Sequence, residues 1–530
     1  MVMVYNMEEK GVNLKRVQSV DETIHAIYRK ISKPFKMASA SAFIFGMVAH
    51  LYMFMNKLPN YDDMVLNGFG ATFRLGRWFL WVLGAAAYHL DFVYSLPWIN
   101  GLVTLVLIAL SAGLVADIFA VKSMAGNVLI GAAMAVYPSW TATFFFMFTA
   151  PYYAAALFLS VCAVYLTVRG KRYFVPASLM LACSMGIYQA YVPFAAAVYV
   201  MVIILLAVEG KRDDWDIIRV SLYYLGQLIL GSLFYLIITK ISLAVTKQEL
   251  ADYKGVSTIG SFSLIRLLDF IKGIFRNFFG LACNNNLELS YNHVTKCMYL
   301  FLFLFTGILI VFFARISVRG RKYLKAVQLA VLTAVFIIAV NSIYLVCSDV
   351  YSLMRYSYVS ILILPVCLLD RYKNHVMGRG GENHVLRAEW VMTAVLAAGV
   401  MSYCHFANAQ YLSLNLGLEQ ASGYYGTIIT QIKGLEGYEP EMKIALVGHD
   451  KIEDKSLYRN QVMEVFEMSG RDAVVAQTYS IEYFLKYYCG FDAKLAEVDA
   501  DNEEIAQMPV YPAKGSMRIM DYTVVVKLAD

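Results

Sequence analysis

Acidic and basic side chains that could catalyse a group transfer stand close together in residues 60–78. Two adjacent carboxylates, Asp62 and Asp63, are followed by the guanidinium groups of Arg74 and Arg77. A carboxylate can accept the proton of an attacking hydroxyl, and a guanidinium can neutralise a phosphate leaving group. Because the segment directly follows the first long apolar run, it predicts transfer of a sugar from a lipid-linked phosphate at a membrane surface.

The two carboxylates cannot play the same part, because adjacent side chains point in different directions. We expect either Asp62 or Asp63 to act as the base, while the other orients it or binds sugar hydroxyls. The alternative is a solvated loop or a helix N-cap, where aspartate is favoured. The residue types leave both interpretations open.

Three arginines are candidates for the donor phosphate. Arg77 opens a predicted helix, so an anion there would meet backbone N–H groups as well as the guanidinium. Arg74 would share a face with it if the helix extends back. Arg355 begins a later helix that we expect on the same side of the membrane. Anchoring in lipid headgroups is the alternative for each of them.

Polar and aromatic residues at two predicted outer turns could bind the sugar. These are the pair Tyr152 and Tyr153, which follows a proline, and the pair Tyr188 and Gln189. Such side chains suit sugar hydroxyls through hydrogen bonding and ring stacking. Since the chain has 38 tyrosines, packing in the core or at the membrane interface is the alternative.

The composition is that of a polytopic membrane protein. Of the 530 residues 59% are hydrophobic and 16% are charged, whereas soluble domains average about a quarter charged. The net charge of +6 resides in short loops, so we expect a lipid bilayer and no nucleic acid as partner. About eleven transmembrane helices are predicted, in the runs 37–56, 97–120, 126–148, 152–168, 174–189, 191–208, 219–245, 296–315, 325–346, 356–371 and 389–406.

The charges of the loops predict the orientation of the chain in the membrane. Residues 1–36 end in lysines and should form a cytoplasmic N-terminal segment that precedes a transmembrane domain of residues 37–406. The parity of the runs then puts the basic loops inside and the loops 57–96 and 246–295 outside. Within the first outer loop, the aromatic segment 77–95 predicts a helix lying at the outer interface, with a re-entrant helix as the alternative.

Residues 407–530 have the composition of a soluble domain. We expect an amphipathic helix at 408–434, buried strands at Lys443–Val447 and Tyr522–Leu528, and helices at about 456–469 and 480–489. The parity puts this small α/β domain outside the cytoplasm. The eight cysteines show no metal-ligand spacing, so we predict no metal site. A cofactor is not required if arginines neutralise the leaving group, although the sequence leaves a divalent ion open.

The chain resembles the GtrII-type membrane glucosyltransferases, which include phage-encoded serotype-converting enzymes and many bacterial cell-surface relatives. The resemblance rests first on the acidic pair Asp62-Asp63 and on Gly76-Arg77, although several relatives have proline where this chain has Trp78. The C-terminal portion carries three further similar segments: Asn408-Ala409-Gln410 with Glu419, Met508-Pro509-Val510-Tyr511-Pro512 with Gly515, and Val524-Val525-Val526-Lys527-Leu528.

This resemblance implies a GT-C glycosyltransferase fold in a bacterial cell membrane. By this resemblance, the expected reaction takes glucose from a polyprenyl phosphate, usually undecaprenyl phosphate, and transfers it outside the membrane to a surface polysaccharide. Asp62 and Asp63 match the family's acidic pair, and Arg77 matches its Gly-Arg motif. Two other classes stay open: a polysaccharide polymerase and a flippase for lipid-linked sugar. A flippase would be expected to have symmetric halves, and the sequence shows no such symmetry.

Overall fold

The protein is mainly helical, with a small sheet near its C-terminus. A computed structural model describes residues 19–64, 68–251, 264–283, 289–345, 347, 350–377, 382–448, 478–499 and 502–529. Its first nine helices are α1 Val20–Lys30, α2 Lys33–Met55, α3 Trp78–His89, α4 Pro97–Phe119, α5 Met124–Val136, α6 Pro138–Phe144, α7 Ala150–Arg169, α8 Phe174–Ile187 and α9 Val192–Glu209. The next eight are α10 Asp214–Thr246, α11 Leu264–Cys283, α12 His293–Arg319, α13 Tyr323–Val340, α14 Ser360–Val376, α15 Glu382–Lys433, α16 Thr478–Tyr487 and α17 Glu503–Ala506.

The mainly helical, polytopic architecture predicted from the composition is confirmed. Within the described residues, eight helices are long and apolar enough to cross a membrane: α2, α4, α7, the segment Gln189–Glu209, α10, α12, α13 and α15. The predicted runs 126–148, 174–189 and 356–371 form shorter helices. The first of them is interrupted because Tyr137 has extended backbone angles before Pro138. The predicted count of about eleven therefore exceeds the number of helices that meet the length criterion.

Small residues allow the helices to approach closely. α2 packs against both α4 and α5, and α4 packs against α7. A Cβ atom at Gly131 of α5 would lie 2.1 Å from the backbone oxygen of Ala38 in α2, and one at Gly101 of α4 would lie 2.3 Å from the Phe54 ring. Glycine at such contacts lets backbones meet, which is how helices associate in the absence of a hydrophobic driving force.

The basic loops meet at one end of the bundle. The Lys325 ammonium donates to the carbonyl of Arg212 at 2.9 Å, and Arg371 pairs with Glu209 at 2.8 Å. Arg371 also donates to the carbonyl of Phe119, the last residue of α4, at 2.7 Å. The loops that the charge pattern predicts on the cytoplasmic side thus share one end of the fold.

α15 is a single helix of 52 residues and is therefore roughly 78 Å long. It joins the predicted apolar run 389–406 to the predicted amphipathic helix 408–434 without a break. The polarity of the sequence changes near residue 406, but no proline occurs in the helix, so nothing ends it there. The helix carries the chain out of the bundle to the C-terminal domain.

Among the described residues of the C-terminal region, three strands form a sheet: β1 Lys443–Val447, β2 Met517–Met520 and β3 Thr523–Lys527. β3 lies in the middle, parallel to β1 and antiparallel to β2. The predicted strands at 443–447 and 522–528 are confirmed, as is the helix at 480–489, which is α16. The predicted helix at 456–469 falls on residues that the structure does not describe.

We expect Gly131→Ala to lower the thermal unfolding midpoint of the detergent-solubilised protein. The added methyl group would overlap the backbone of Ala38, which cannot move without shifting α2, and overpacking of this kind costs about 1–3 kcal/mol. Gly307→Ala on α12 is the matched control, since a Cβ there has no atom within 4 Å. Equal midpoints for the two variants would contradict the close approach of α2 and α5.

Candidate active site

A cavity of about 820 Å³ opens among the helix ends opposite the basic loops. Its wall includes the first turn of α7, the junction of α8 and α9, the middle of α10 and the segment after α13. Of the residues predicted from the sequence, the cavity brings together Asp62, Arg77, Tyr153, Tyr188 and Gln189. One carboxylate and one guanidinium from the same short segment therefore line the same space.

The acidic pair lies in a short 3₁₀ turn, Tyr61–Met64, that follows α2. The side-chain oxygen of Asn60 accepts hydrogen bonds from the backbone N–H groups of Asp62 at 2.9 Å and of Asp63 at 3.0 Å. This local capping explains why the turn forms here, since asparagine favours such hydrogen bonds to the backbone just after it. The fixed turn sends the two carboxylates to different surroundings.

Asp63 is directed into the protein, where 1% of its side chain is exposed. Its Oδ2 atom lies 2.9 Å from the ammonium of Lys57, which also donates to the hydroxyl of Ser95 at 3.3 Å. Burial raises the pKa of Asp63, and the adjacent Lys57 opposes that shift. The pair ties the turn to the end of α2 and to the chain just before α4.

Asp62 lines the cavity and is half-buried. Its Oδ1 atom accepts a hydrogen bond from the hydroxyl of Tyr479 in α16. Burial raises the pKa of Asp62 above its ordinary value, and the donated hydrogen bond partly opposes this rise. A carboxylate with a raised pKa accepts a proton more readily near neutral pH. Of the two acids, only Asp62 is in a position to meet a molecule in the cavity.

Arg77 is held by two stacked tyrosines. Its Nη1 atom donates to the hydroxyl of Tyr153 at 3.1 Å, and its guanidinium lies 5.1 Å from the ring centroid of Tyr188. The two rings are 4.2 Å apart and nearly parallel, with 3° between their planes. Attraction between a cation and aromatic rings restricts the side chain, so a fixed positive charge faces the cavity.

The turn before Arg77 depends on glycine. Gly76 has φ +68°, and a Cβ atom there would lie 2.4 Å from the hydroxyl of Tyr235. The Gln189 amide donates to that hydroxyl and to the carbonyl of Leu75, each at 2.9 Å. The Gly-Arg turn is thereby attached to the α8–α9 junction and to α10. α3 begins at Trp78, directly after the turn, although no proline initiates it.

The rest of the cavity wall is largely apolar. Phe146, Phe148, Met185, Leu236 and Ile343 contribute side chains to it. A space of this volume, with apolar walls and a few polar groups, is typical of ligand sites. The arrangement can accept a molecule that has a charged head and a hydrocarbon tail.

The remaining predicted residues do not line this cavity. Arg74 is exposed, and its carbonyl accepts from the N–H of Ala251 at 2.8 Å. Arg355 is half-buried and donates to the carbonyl of Val350 at 2.9 Å, next to the wall residue Met354. Tyr152 is partly buried and packs against the core. Of the predicted outer loop 246–295, residues 252–263 and 284–288 are not described.

Sequence reasoning missed several residues of the site. Lys57 and Tyr235 look like ordinary membrane-interface and helix residues, and Tyr479 lies more than 400 residues from its partner. The predicted pair Tyr152 and Tyr153 left open which ring faces the cavity, because only the phase of α7 decides it, and Tyr153 is the one that does. In the described ranges, no three His, Cys, Asp or Glu side chains come together as a metal-binding group.

Comparison with known protein families gives a match over most of the helical part of the chain. The family model described as Glucosyl transferase GtrII matches residues 51–368, which is more than half of the chain. The matched part includes the acidic turn, the Gly-Arg turn and the cavity wall, and it ends before α15 and the C-terminal domain. No curated protein and no solved structure matches the chain significantly.

We expect Lys57→Met to destabilise the protein by up to about 3 kcal/mol, because it leaves the buried carboxylate of Asp63 without its counter-charge. Adding Asp63→Asn should recover most of the loss, since the amide carries no charge that needs a partner. Thermal unfolding midpoints in detergent measure both effects, with Lys514→Met on an exposed loop as the control. Losses that simply add in the double variant would contradict a coupled pair.

Proposed function

Because the chain belongs to the glucosyl transferase GtrII family, we propose that it transfers a hexose, most simply glucose, from a polyprenyl-phosphate donor to a cell-surface polysaccharide. The family match makes it a glucosyltransferase, and its apolar helices make it a membrane protein. The donor, the acceptor and the side of the membrane are our proposals. The observation that carries them is that Asp62 and Arg77 line one cavity.

Arg77 suits the donor phosphate. Its guanidinium stays positively charged at any physiological pH, and it is restrained by Tyr153 and Tyr188. A fixed cation of this kind stabilises the negative charge that develops on the leaving phosphate, and it does so without having to reorganise. The apolar wall suits the first isoprene units of a tail that cannot leave the bilayer.

Asp62 suits the acceptor. In the proposed reaction a polysaccharide hydroxyl attacks the anomeric carbon of the donor, and the bond from that carbon to the phosphate oxygen breaks. The bonding electrons leave with the polyprenyl phosphate, and the hydroxyl proton passes to the free oxygen of Asp62. Asp63 takes no proton in this scheme. Its ion pair with Lys57 holds the turn that presents Asp62.

The proposed reaction takes place on the extracytoplasmic side. The cavity lies at the end of the bundle away from the basic loops, and basic loops are enriched on the cytoplasmic side of membrane proteins. By this argument the N-terminus is cytoplasmic and the C-terminal domain is extracytoplasmic. No nucleotide sugar is then needed at the site.

A reconstituted assay tests the proposed function directly. Purified protein in liposomes is supplied with glucosyl-phosphoryl polyprenol and with polysaccharide from the surface of the source cells. We expect free polyprenyl phosphate and glucosylated polysaccharide in equal amounts. A flippase would move the lipid without splitting it, and a polymerase would use oligosaccharide donors instead, so either result would overturn the proposal.

The two carboxylates should differ in this assay. Asp62→Asn removes the base and should reduce kcat by about 10²–10⁴-fold, whereas Asp63→Asn should cost less activity and more stability. Because the base must be deprotonated, the wild-type rate should fall as the pH drops through the raised pKa of Asp62. A fully active Asp62→Asn enzyme would remove Asp62 from the mechanism.

Two neighbouring arginines provide a test of the phosphate site. Arg77→Met should reduce kcat/KM by about 10²–10³-fold, as expected when one stabilising donor is lost. Arg77→Lys keeps the charge but lacks the planar fork of the guanidinium, so its kcat/KM should lie between those of Arg77→Met and the wild type. Arg74→Met should stay close to wild type, because Arg74 is exposed and outside the cavity wall. The reverse order would assign the phosphate to Arg74.

A further inference from the structure

The C-terminal domain reaches the acidic turn through α16. This helix contacts the turn Tyr61–Met64, and the hydroxyl of Tyr479 donates to the Oδ1 atom of Asp62. Burial raises the pKa of Tyr488, just beyond the end of α16, and the nearby carboxylate of Asp63 adds to the rise. The C-terminal part of the chain thus reaches Asp62 through the hydroxyl of Tyr479.

α16 is anchored, so the contact is set by the fold. Phe484 of α16 is fully buried and packs edge-on against Tyr425 of α15, with ring centroids 5.7 Å apart. Ile481 and Leu485 on the same helix are also buried. The apolar side of α16 thus packs into the core of the protein, while Tyr479 at its first turn remains 43% exposed and bonds to Asp62.

α15 connects the same region to the helix that carries the acidic turn. The hydroxyl of Tyr411 in α15 hydrogen-bonds to the ring of His50 in α2 at 2.8 Å, and the Asn408 amide donates to the carbonyl of Ala49 at 3.2 Å. One continuous helix therefore packs against α2 at one level and against α16 at another. This arrangement fixes the distance between Tyr479 and Asp62.

We propose that Tyr479 is a positioning residue for the transfer reaction, whose hydroxyl holds one oxygen of Asp62 so that the other oxygen faces the acceptor hydroxyl. This inference rests on the proposed function. It assigns the C-terminal domain a part in the active site, although that domain lies outside the segment that matches the family model.

The proton transfer balances without a further reactant. The acceptor's proton moves to the free oxygen of Asp62, while Tyr479 keeps its own proton, because burial and the hydrogen bond to Asp62 raise its pKa. Four other titratable groups lie in the turn or next to it. Tyr61 and Asp63 belong to the turn, and Lys57 and Tyr488 lie beside it. Since Lys57 is paired with Asp63, Tyr479 is the group that donates to Asp62 itself and stabilises its charged form.

Tyr479→Phe in the full-length protein tests this assignment. Loss of a hydrogen bond to a charged group should reduce kcat about tenfold, with the KM for glucosyl-phosphoryl polyprenol unchanged. Without the donated bond the pKa of Asp62 rises, so the acid limb of the pH–rate profile should move to higher pH by about half a unit to one unit. Tyr487→Phe, an exposed tyrosine on the same helix, is the matched control and should leave both quantities unchanged.

The outcomes separate the two proposals. If Asp62→Asn is inactive while Tyr479→Phe keeps the wild-type kcat and pH profile, the positioning role is overturned and the proposed function stands. If Asp62→Asn is fully active, Asp62 is not the base and the positioning role is overturned with it. If the wild-type protein releases no polyprenyl phosphate and glucosylates no polysaccharide, the proposed function itself fails. Should Tyr479→Phe not fold, 3-fluorotyrosine at position 479 replaces it. This residue is a stronger donor and should move the acid limb to lower pH, and an unmoved limb would overturn the positioning role.

Discussion

A carboxylate that is 1% exposed must be neutralised or paired, and at Asp63 the partner is Lys57 at 2.9 Å. This ion pair fixes the orientation of the turn that follows α2. With Asp63 turned inward, its neighbour Asp62 has to turn outward, because the Asn60 cap fixes the backbone of both. Breaking a buried pair costs more than forming it gains, so the pair acts chiefly as a restraint on the geometry of the turn.

The positive group of the site is restrained in a different way. Arg77 donates a hydrogen bond to Tyr153, and its guanidinium lies against the face of Tyr188. Aromatic rings restrict a guanidinium without cancelling its charge. In the proposed reaction this charge stabilises the donor phosphate. Both restraints act on groups that line the same cavity.

Much of the fold follows from local sequence patterns. Apolar runs of about 20 residues predict helices such as α2 and α4, and β-branched runs predict β1 and β3. The presence of both a carboxylate and a guanidinium in residues 60–78 also follows from residue types. Which aspartate faces the cavity does not follow, because the choice depends on Lys57 and on the course of the turn. The choice between Tyr152 and Tyr153 depends on the phase of α7, and the Tyr479 contact depends on how a 52-residue helix returns the chain to its beginning.

The most direct test of the account is a cryo-electron microscopy map of the protein with glucosyl-phosphoryl polyprenol bound. The account predicts the donor phosphate within about 3 Å of the Arg77 guanidinium, the prenyl chain along the apolar wall, and the anomeric carbon on the side of Asp62. A phosphate bound at Arg74 or Arg355 with the cavity between Asp62 and Arg77 empty would contradict it.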